Sequence, residues 1–339
     1  MAGESNLTRD LTGVELGPVK DRIRGSIFAS ACGNSLGSCG IGMTRKDLMA
    51  SSGFSILRDY LPGLSRSQSP NHAEGAFQSD IYCALAFAES LIESGGHTNP
   101  ENLKKHFKEL LEDEEFRGSR PGAISLSNLR EVIEGGEPLD PELTIVDVAV
   151  PFRAFVCGCL PGEPKTQDPL TLAKQSCLPA PSDPRILAAA AVIADSVGFF
   201  VRGNRLDTES EVRDYVRREL DLANSIDDRF ADAWDGIAPD LDYTKPAEDL
   251  PYSVVNVQPD ITELVPTAVG IFLIYRHSLE DAVGIAALAG GKTDTVAAIV
   301  GALSGAYHGV AGIPERWIDG IAHKERLESV SLGLEGFWN

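Results

Sequence analysis

The stretch GGKTDTVAAIVGALSGAYHGVAGIPERWI, residues 290–318, decides how this chain folds. Its middle is apolar, and Gly301, Gly305 and Gly309 recur every four positions, which places them on one face of a helix. A glycine inside a helix destabilises it by roughly 1 kcal/mol relative to alanine, so a row of them needs a reason: another backbone or a ligand that must come close. The same spacing is present near the other end of the chain. From Val19 to Gly37 the small residues Gly25, Ala29, Gly33 and Gly37 also fall four apart, so that segment too reads as a helix with one face stripped of side chains.

Working outward, the other segments carry helical signals as well. Residues 79–94 place Ile81, Leu85, Ala88 and Leu91 or Ile92 on one face. Asn99 followed by Pro100 opens a charged amphipathic helix through residue 116, expected on the surface. Pro184 sits at the favoured first turn of a nearly all-apolar run that reads as a central, buried helix. Residues 261–309 read as two apolar helices joined by AGGKTDT. Between these, residues 39–78 are rich in Gly, Ser and Pro and read as loop, and residues 206–260 are acidic and broken by prolines, an excursion of helices and loops over the surface. Residues 1–18 lack periodicity and read as a mobile arm. No stretch reads as an inter-domain linker and no internal repeat is present, so the expectation is an all-α fold in one domain over residues 19–339.

Composition narrows the functional classes. Hydrophobic residues make up 43% and aromatics 7% of the 339, dominated by Ala, Leu, Ile and Val, which suits close helix packing. The formal charge of -20 repels nucleic acid and anionic membrane surfaces, so neither is an expected partner. The apolar run 186–201 is interrupted by Asp195 and is short for a bilayer span, and the N-terminus has no signal-peptide pattern, which together predict a cytoplasmic protein. Cys32, Cys39, Cys83, Cys157, Cys159 and Cys177 show no metal spacing and read as buried thiols; Cys157 and Cys159 are too close in sequence for an unstrained disulfide. The six histidines have no ligand spacing either, and only His72 lies in a loop leading to the candidate site.

Residues 290–318, through the Gly-Gly opening, the Thr-Asp-Thr triplet and the Ile-Pro-Glu-Arg-Trp ending, resemble the last core helix of the ADP-ribosylglycohydrolases. The likeness runs more weakly from Gly25 to the end. It implies an orthogonal helical bundle and, in the family, two divalent cations held by acids that converge from several helix starts, polarising a ribose and a water. In this chain the family's Asp-Thr-Asp-Thr reads Lys292, Thr293, Asp294 and Thr295. Its Thr-Asp-Asp-Thr falls on Gln78, Ser79, Asp80 and Ile81, keeping only Asp80. A Gly-Asp-x-x-Gly turn with a glutamate four residues on falls on GNSLGSCGI, with Asn34 for the aspartate and Ile41 for the glutamate. The Gly-rich phosphate segment falls on 142–148, ELTIVDV, which has no glycine.

The resemblance therefore implies remnant catalytic positions at Asp80 and Asp294, and ligand-facing positions at Asn34, Ser79 and Lys292. Two arrangements are open for these groups. One is a residual site for a single Mg2+ on Asp80, Asp294 and Thr295, with Ser79 and Gln78 as neutral ligands. The other is an ion cluster in which the Lys292 ammonium between Asp80 and Asp294 takes the space of the missing cations. Cys39, in the glycine-rich turn beside this cleft, reads as a reactive thiol or as a small buried hydrophobe. Three functions follow: a non-catalytic relative kept as scaffold or as abundant soluble protein of the lens-crystallin type; a hydrolase cleaving the N- or O-glycosidic bond of ADP-ribose with Asp80 or Asp294 activating water; and a reader that binds ADP-ribose or a related nucleotide without cleaving it.

Overall fold

The computed structural model describes residues 16–64, 74–119, 123–134, 150–177, 183–237 and 260–339. Among these, every regular element is helical. In chain order the α-helices are α1 Leu16–Ser38, α2 Arg45–Ser52, α3 Ser79–Glu93, α4 Pro100–Glu112, α5 Glu114–Gly118, α6 Ala123–Glu134, α7 Phe155–Gly158 and α8 Pro169–Ser176. The second half continues with α9 Pro184–Val201, α10 Glu209–Asn224, α11 Asp228–Ile237, α12 Ile261–Ile274, α13 Leu279–Ala286, α14 Thr293–His308, α15 Glu315–Gly320 and α16 Lys324–Glu335.

The two glycine-striped helices face each other. A Cβ on Gly25 would strike the Gly305 carbonyl oxygen, and one on Gly305 would strike that of Gly25. Gly301 lies in the same way on Ala29, Gly33 on Ala297 and Gly37 on Thr293. The pairs advance by four residues in opposite directions, so α1 and α14 run antiparallel with their backbones in contact over four turns. Thr293 Oγ1 locks the register by donating to the Gly37 carbonyl at 2.6 Å. This seam sets the start of α14 beside the end of α1. The turns that follow and precede these helices are tied as well: Gly42 N donates to Gly291 O at 2.8 Å and Gly291 N to Met43 O at 2.9 Å. Gly290 and Gly291 have φ of 100° and 67°, left-handed values that suit glycine.

Around this pair the other helices build one continuous apolar core. Helix α9 is long and apolar enough to cross a bilayer by length and composition, and 78% of it is buried within the protein. Asp183 caps it by accepting from the Arg185 amide, and Pro184 starts it.

Several segments differ from their sequence reading. The helix expected over 99–116 is two, because Asp113 both ends α4 and caps α5, accepting from the Glu115 and Phe116 amides at 2.8 Å. The expected loop 39–78 contains α2, with Thr44 capping its first turn and Gly53 closing it at φ 75°. The two helices expected over 261–309 are three, since Ser278 caps a separate α13. In the acidic excursion, α10 opens with a Thr208–Glu211 capping box and buries Val212, Tyr215, Val216, Glu219 and Ala223. It is a helix with one face packed on the core and the other exposed, as a helix of a surface excursion is; residues 238–259 of the same stretch lie outside the described residues. So do residues 1–15, which hold most of the expected arm, while α1 begins at Leu16.

Candidate functional site

Because α1 and α14 are antiparallel and α3 packs on α1, three chain positions far apart in sequence meet. Asp80 sits in the first turn of α3 and Asp294 in the first turn of α14, 4% and 1% exposed. Unpaired amides and the positive dipole end of each helix favour a carboxylate in those positions. Thr295 Oγ1 donates to Asp80 Oδ2 at 2.6 Å, and the Ser79 hydroxyl lies 3.5 Å from Asp80 Oδ1. Buried Asn34 joins all three helices: its Nδ2 donates to the Asp294 carbonyl at 3.4 Å and its Oδ1 accepts from the Gln78 amide at 2.6 Å. An amide side chain can do both. A carboxylate at this position could accept the second bond but could not donate the first.

Lys292 occupies the position just before α14, where its side chain caps no amide. Its Nζ lies 3.6 Å from Asp294 Oδ2, and the side chain remains 32% exposed. Asp294 Oδ1 is buried without a hydrogen-bond partner. Burial pushes the Asp294 carboxyl up to about 6; the Lys292 ammonium opposes the shift and the neighbouring Asp80 adds to it. Near neutral pH the carboxylate therefore depends on Lys292 for its charge balance.

The other sequence-derived positions fall as follows. Ile41 lies half-buried in the turn after α1. Cys39 is fully buried, and burial raises its thiol to about 11, the reverse of the activation a reactive thiol needs. His72 and residues 142–148 lie outside the described residues. One neighbour escaped the sequence reading: His323, at φ 52°, places Nε2 3.0 Å from the Tyr82 hydroxyl, two residues along α3 from Asp80, and 2.9 Å from Glu115. It packs edge-on against Phe77 and Tyr82. Only its backbone conformation marks it out, and nothing in the sequence announces that.

A pair of divalent cations demands many oxygen ligands with net negative charge. Here two carboxylates converge, an ammonium pairs with one and a threonine hydroxyl with the other. Among the described residues no three His, Cys, Asp or Glu side chains are grouped to hold a metal. The residues present do not fit two divalent cations. Of the set for a single cation, Thr295 is bonded to Asp80 Oδ2 and Asp294 Oδ2 is paired with Lys292, which leaves Asp294 Oδ1 as the buried oxygen without a partner.

The ADP-ribosylglycohydrolase family model matches residues 16–337. The chain belongs to that family. It is similar to the uncharacterized protein YegU of Escherichia coli, with 24% identity over 303 residues covering 86% of this chain and 89% of that one. An uncharacterized protein of Archaeoglobus fulgidus is 25% identical over 329 residues, covering 93% of this chain and 96% of the relative. Among solved structures, an ADP-ribosylglycohydrolase-related protein complex superposes with a TM-score of 0.62 over 95% of this chain and 99% of that one, at 21% identity. This last likeness speaks to the fold: an all-α ADP-ribosylglycohydrolase bundle. Within that bundle the glycine seam joins α1 to α14, and Asp80 and Asp294 stand at the starts of α3 and α14.

Proposed function

We propose that this ADP-ribosylglycohydrolase family member is non-catalytic toward ADP-ribosyl bonds and serves as a folded scaffold, with ADP-ribose or a related nucleotide as the class of ligand it could meet. The observation that carries this reading is the ammonium of Lys292, 3.6 Å from Asp294, at the position from which a cation would have to be held. It removes an oxygen donor and adds positive charge where a divalent cation would sit. Cleavage of a glycosidic bond also passes through a cation-like ribose, which a fixed ammonium nearby disfavours. The reader variant of this proposal draws on one further feature: Lys292 is partly exposed at the start of α14, where positive charge meets the dipole of a helix N-terminus, a combination suited to a diphosphate.

Calorimetric titration of MgCl2 and then ADP-ribose into the full chain, beside a release assay on an ADP-ribosylated protein, tests the proposal. The expected result is no magnesium heat and no release. Lys292→Asp, which puts back the family's acid, is expected to gain magnesium-dependent thermal stabilisation that the parent lacks. Magnesium-dependent release by the parent chain, lost in Asp294→Ala, would overturn the reading.

A further inference from the structure

A second pair of buried acids lies away from the site above. Asp195 in the middle of α9 and Glu219 in the second half of α10 are 2% and 0% exposed. The same stretch of α9 carries Phe200, which packs on Tyr307 near the end of α14. About 20 Å of helix, at roughly 1.5 Å per residue, separates Tyr307 from Asp294. Nothing in the family reading uses this pair.

One cation serves both acids. Arg218 donates to Glu219 Oε1 at 3.0 Å, and its other nitrogen pairs with Asp195. The arginine is itself held by lying 4.8 Å over the Phe199 ring. Close by, the neutral Tyr215 hydroxyl donates to Ser196 Oγ at 2.8 Å. Arg202 acts on Asp195 from farther along α9 but is hydrogen-bonded to the carbonyls of Gly198, Leu160 and Pro161. From α11, on the other side of α10, Arg229 is engaged with Asp227 and Asp183, and Asp228, Asp232 and Asp235 are exposed. Both carboxyls are 2% exposed or less and only one guanidinium, itself partly exposed, touches them, with Arg202 acting on Asp195 from a greater distance, so two ionised carboxylates here would be incompletely balanced, which buried charge tolerates poorly.

We infer that Asp195 and Glu219 share a single proton over Arg218, forming a proton-dependent clasp that fastens α10 to α9 and loosens when that proton leaves. Asp195 Oδ2 and Glu219 Oε2 are each buried without a hydrogen-bond partner, the state expected of two carboxyl oxygens that lack the proton between them; Glu219 carries that proton toward Asp195, and Asp195 keeps the Arg218 pair. Burial, and then the charge of Asp195, hold Glu219 well above its ordinary value of 4.5. The sign follows from proton counting. Above 4.5 the folded chain keeps a proton that the unfolded chain has released, so stability falls as pH rises, until the raised folded value is passed.

The test is thermal unfolding and amide hydrogen exchange of the full chain from about pH 7.5 to about pH 9, more than a unit above the value of about 6 for Asp294; one proton changes the opening constant by up to tenfold per pH unit. The parent is expected to lose midpoint temperature across this range. Its α10 amides, corrected for intrinsic rate, are expected to open more at the alkaline end. Glu219→Gln, which keeps a donor toward Asp195 and cannot ionise, is expected to flatten both trends and to be the more stable protein at about pH 9. Contributions common to both proteins cancel in the difference. If Glu219→Gln does not fold, Asp195→Asn is read in the same way, since Glu219 then faces Arg218 alone. Retention of the parent's slope in whichever variants fold, or opening spread evenly over the chain rather than centred on α10, overturns the inference.

Discussion

The two buried acid pairs of this protein are neutralised by different means, and the difference follows from where each carboxyl stands on its helix. Asp80 and Asp294 occupy first turns, where backbone amides are unpaired and the helix dipole is positive. Asp294 lies in the field of that helix start, and Lys292 supplies the rest of the balance from a partly exposed position. Asp195 and Glu219 stand inside helices whose amides are already committed to the helix, so no backbone donor is left for them. Their balance comes from one arginine and a proton. A helix start can hold a buried carboxylate as an anion with modest help; a helix interior needs a full counter-charge or a neutral acid.

This contrast is broken most directly at Arg218. Arg218→Met keeps much of the side-chain stem and leaves the mid-helix pair without its cation, and the expected loss is about 3–5 kcal/mol in urea unfolding near neutral pH. The loss should shrink in acid, where both carboxyls take protons. A loss below about 1 kcal/mol at neutral pH would mean that the guanidinium is not what compensates the pair.

How much of this was legible in the sequence depends on whether a feature is written along one helix or between two. The four-residue spacing of Gly25, Ala29, Gly33 and Gly37, and of Gly301, Gly305 and Gly309, announced close backbone approach, and the structure pairs them with each other. The cap at Asn99 and the first-turn Pro184 place helix starts correctly, whereas Asp113 and Ser278 are polar residues inside apparently continuous patterns that hide a break. The Thr44 and Gly53 signals of α2 were lost in a stretch dominated by loop residues. At the site, the family likeness brought Asp80, Asp294, Thr295 and Lys292 together. The role of Asn34 was illegible because its partners are backbone atoms 44 and 260 positions away. Asp195 looked like an interruption of an apolar run, and Glu219 like one acid among many, since periodicity within a helix carries no information on which residue faces it from another.

The helix-start pair is tested next. Thr295→Val preserves shape and removes the hydroxyl that donates to Asp80 at 2.6 Å, leaving Asp80 Oδ2 buried with one partner fewer. The expected destabilisation is about 1–3 kcal/mol by chemical unfolding, intermediate because the α3 helix start still favours the charge. An effect as large as that at Arg218 would mean that the helix start contributes little, and the distinction between the two pairs would fail.

The smallest effect is expected at Lys292, and its pH dependence matters more than its size. Its partner Asp294 has a folded value of about 6 against an ordinary 3.8, so this acid lowers stability as pH rises between those values. Removing the ammonium in Lys292→Met takes away the first interaction that opposes burial, so the folded value moves higher and the window of loss extends above 6. The parent and the variant should therefore unfold at similar temperatures in acid, where Asp294 is protonated in both, and separate as pH rises past 6, reaching about 1 kcal/mol near pH 8. Curves that stay parallel over the whole range would reduce Lys292 to a packing residue. Separation above pH 6 alone would identify it as the counter-charge of Asp294, the same service Arg218 gives to Asp195, each cation reaching a buried carboxylate from a partly exposed position.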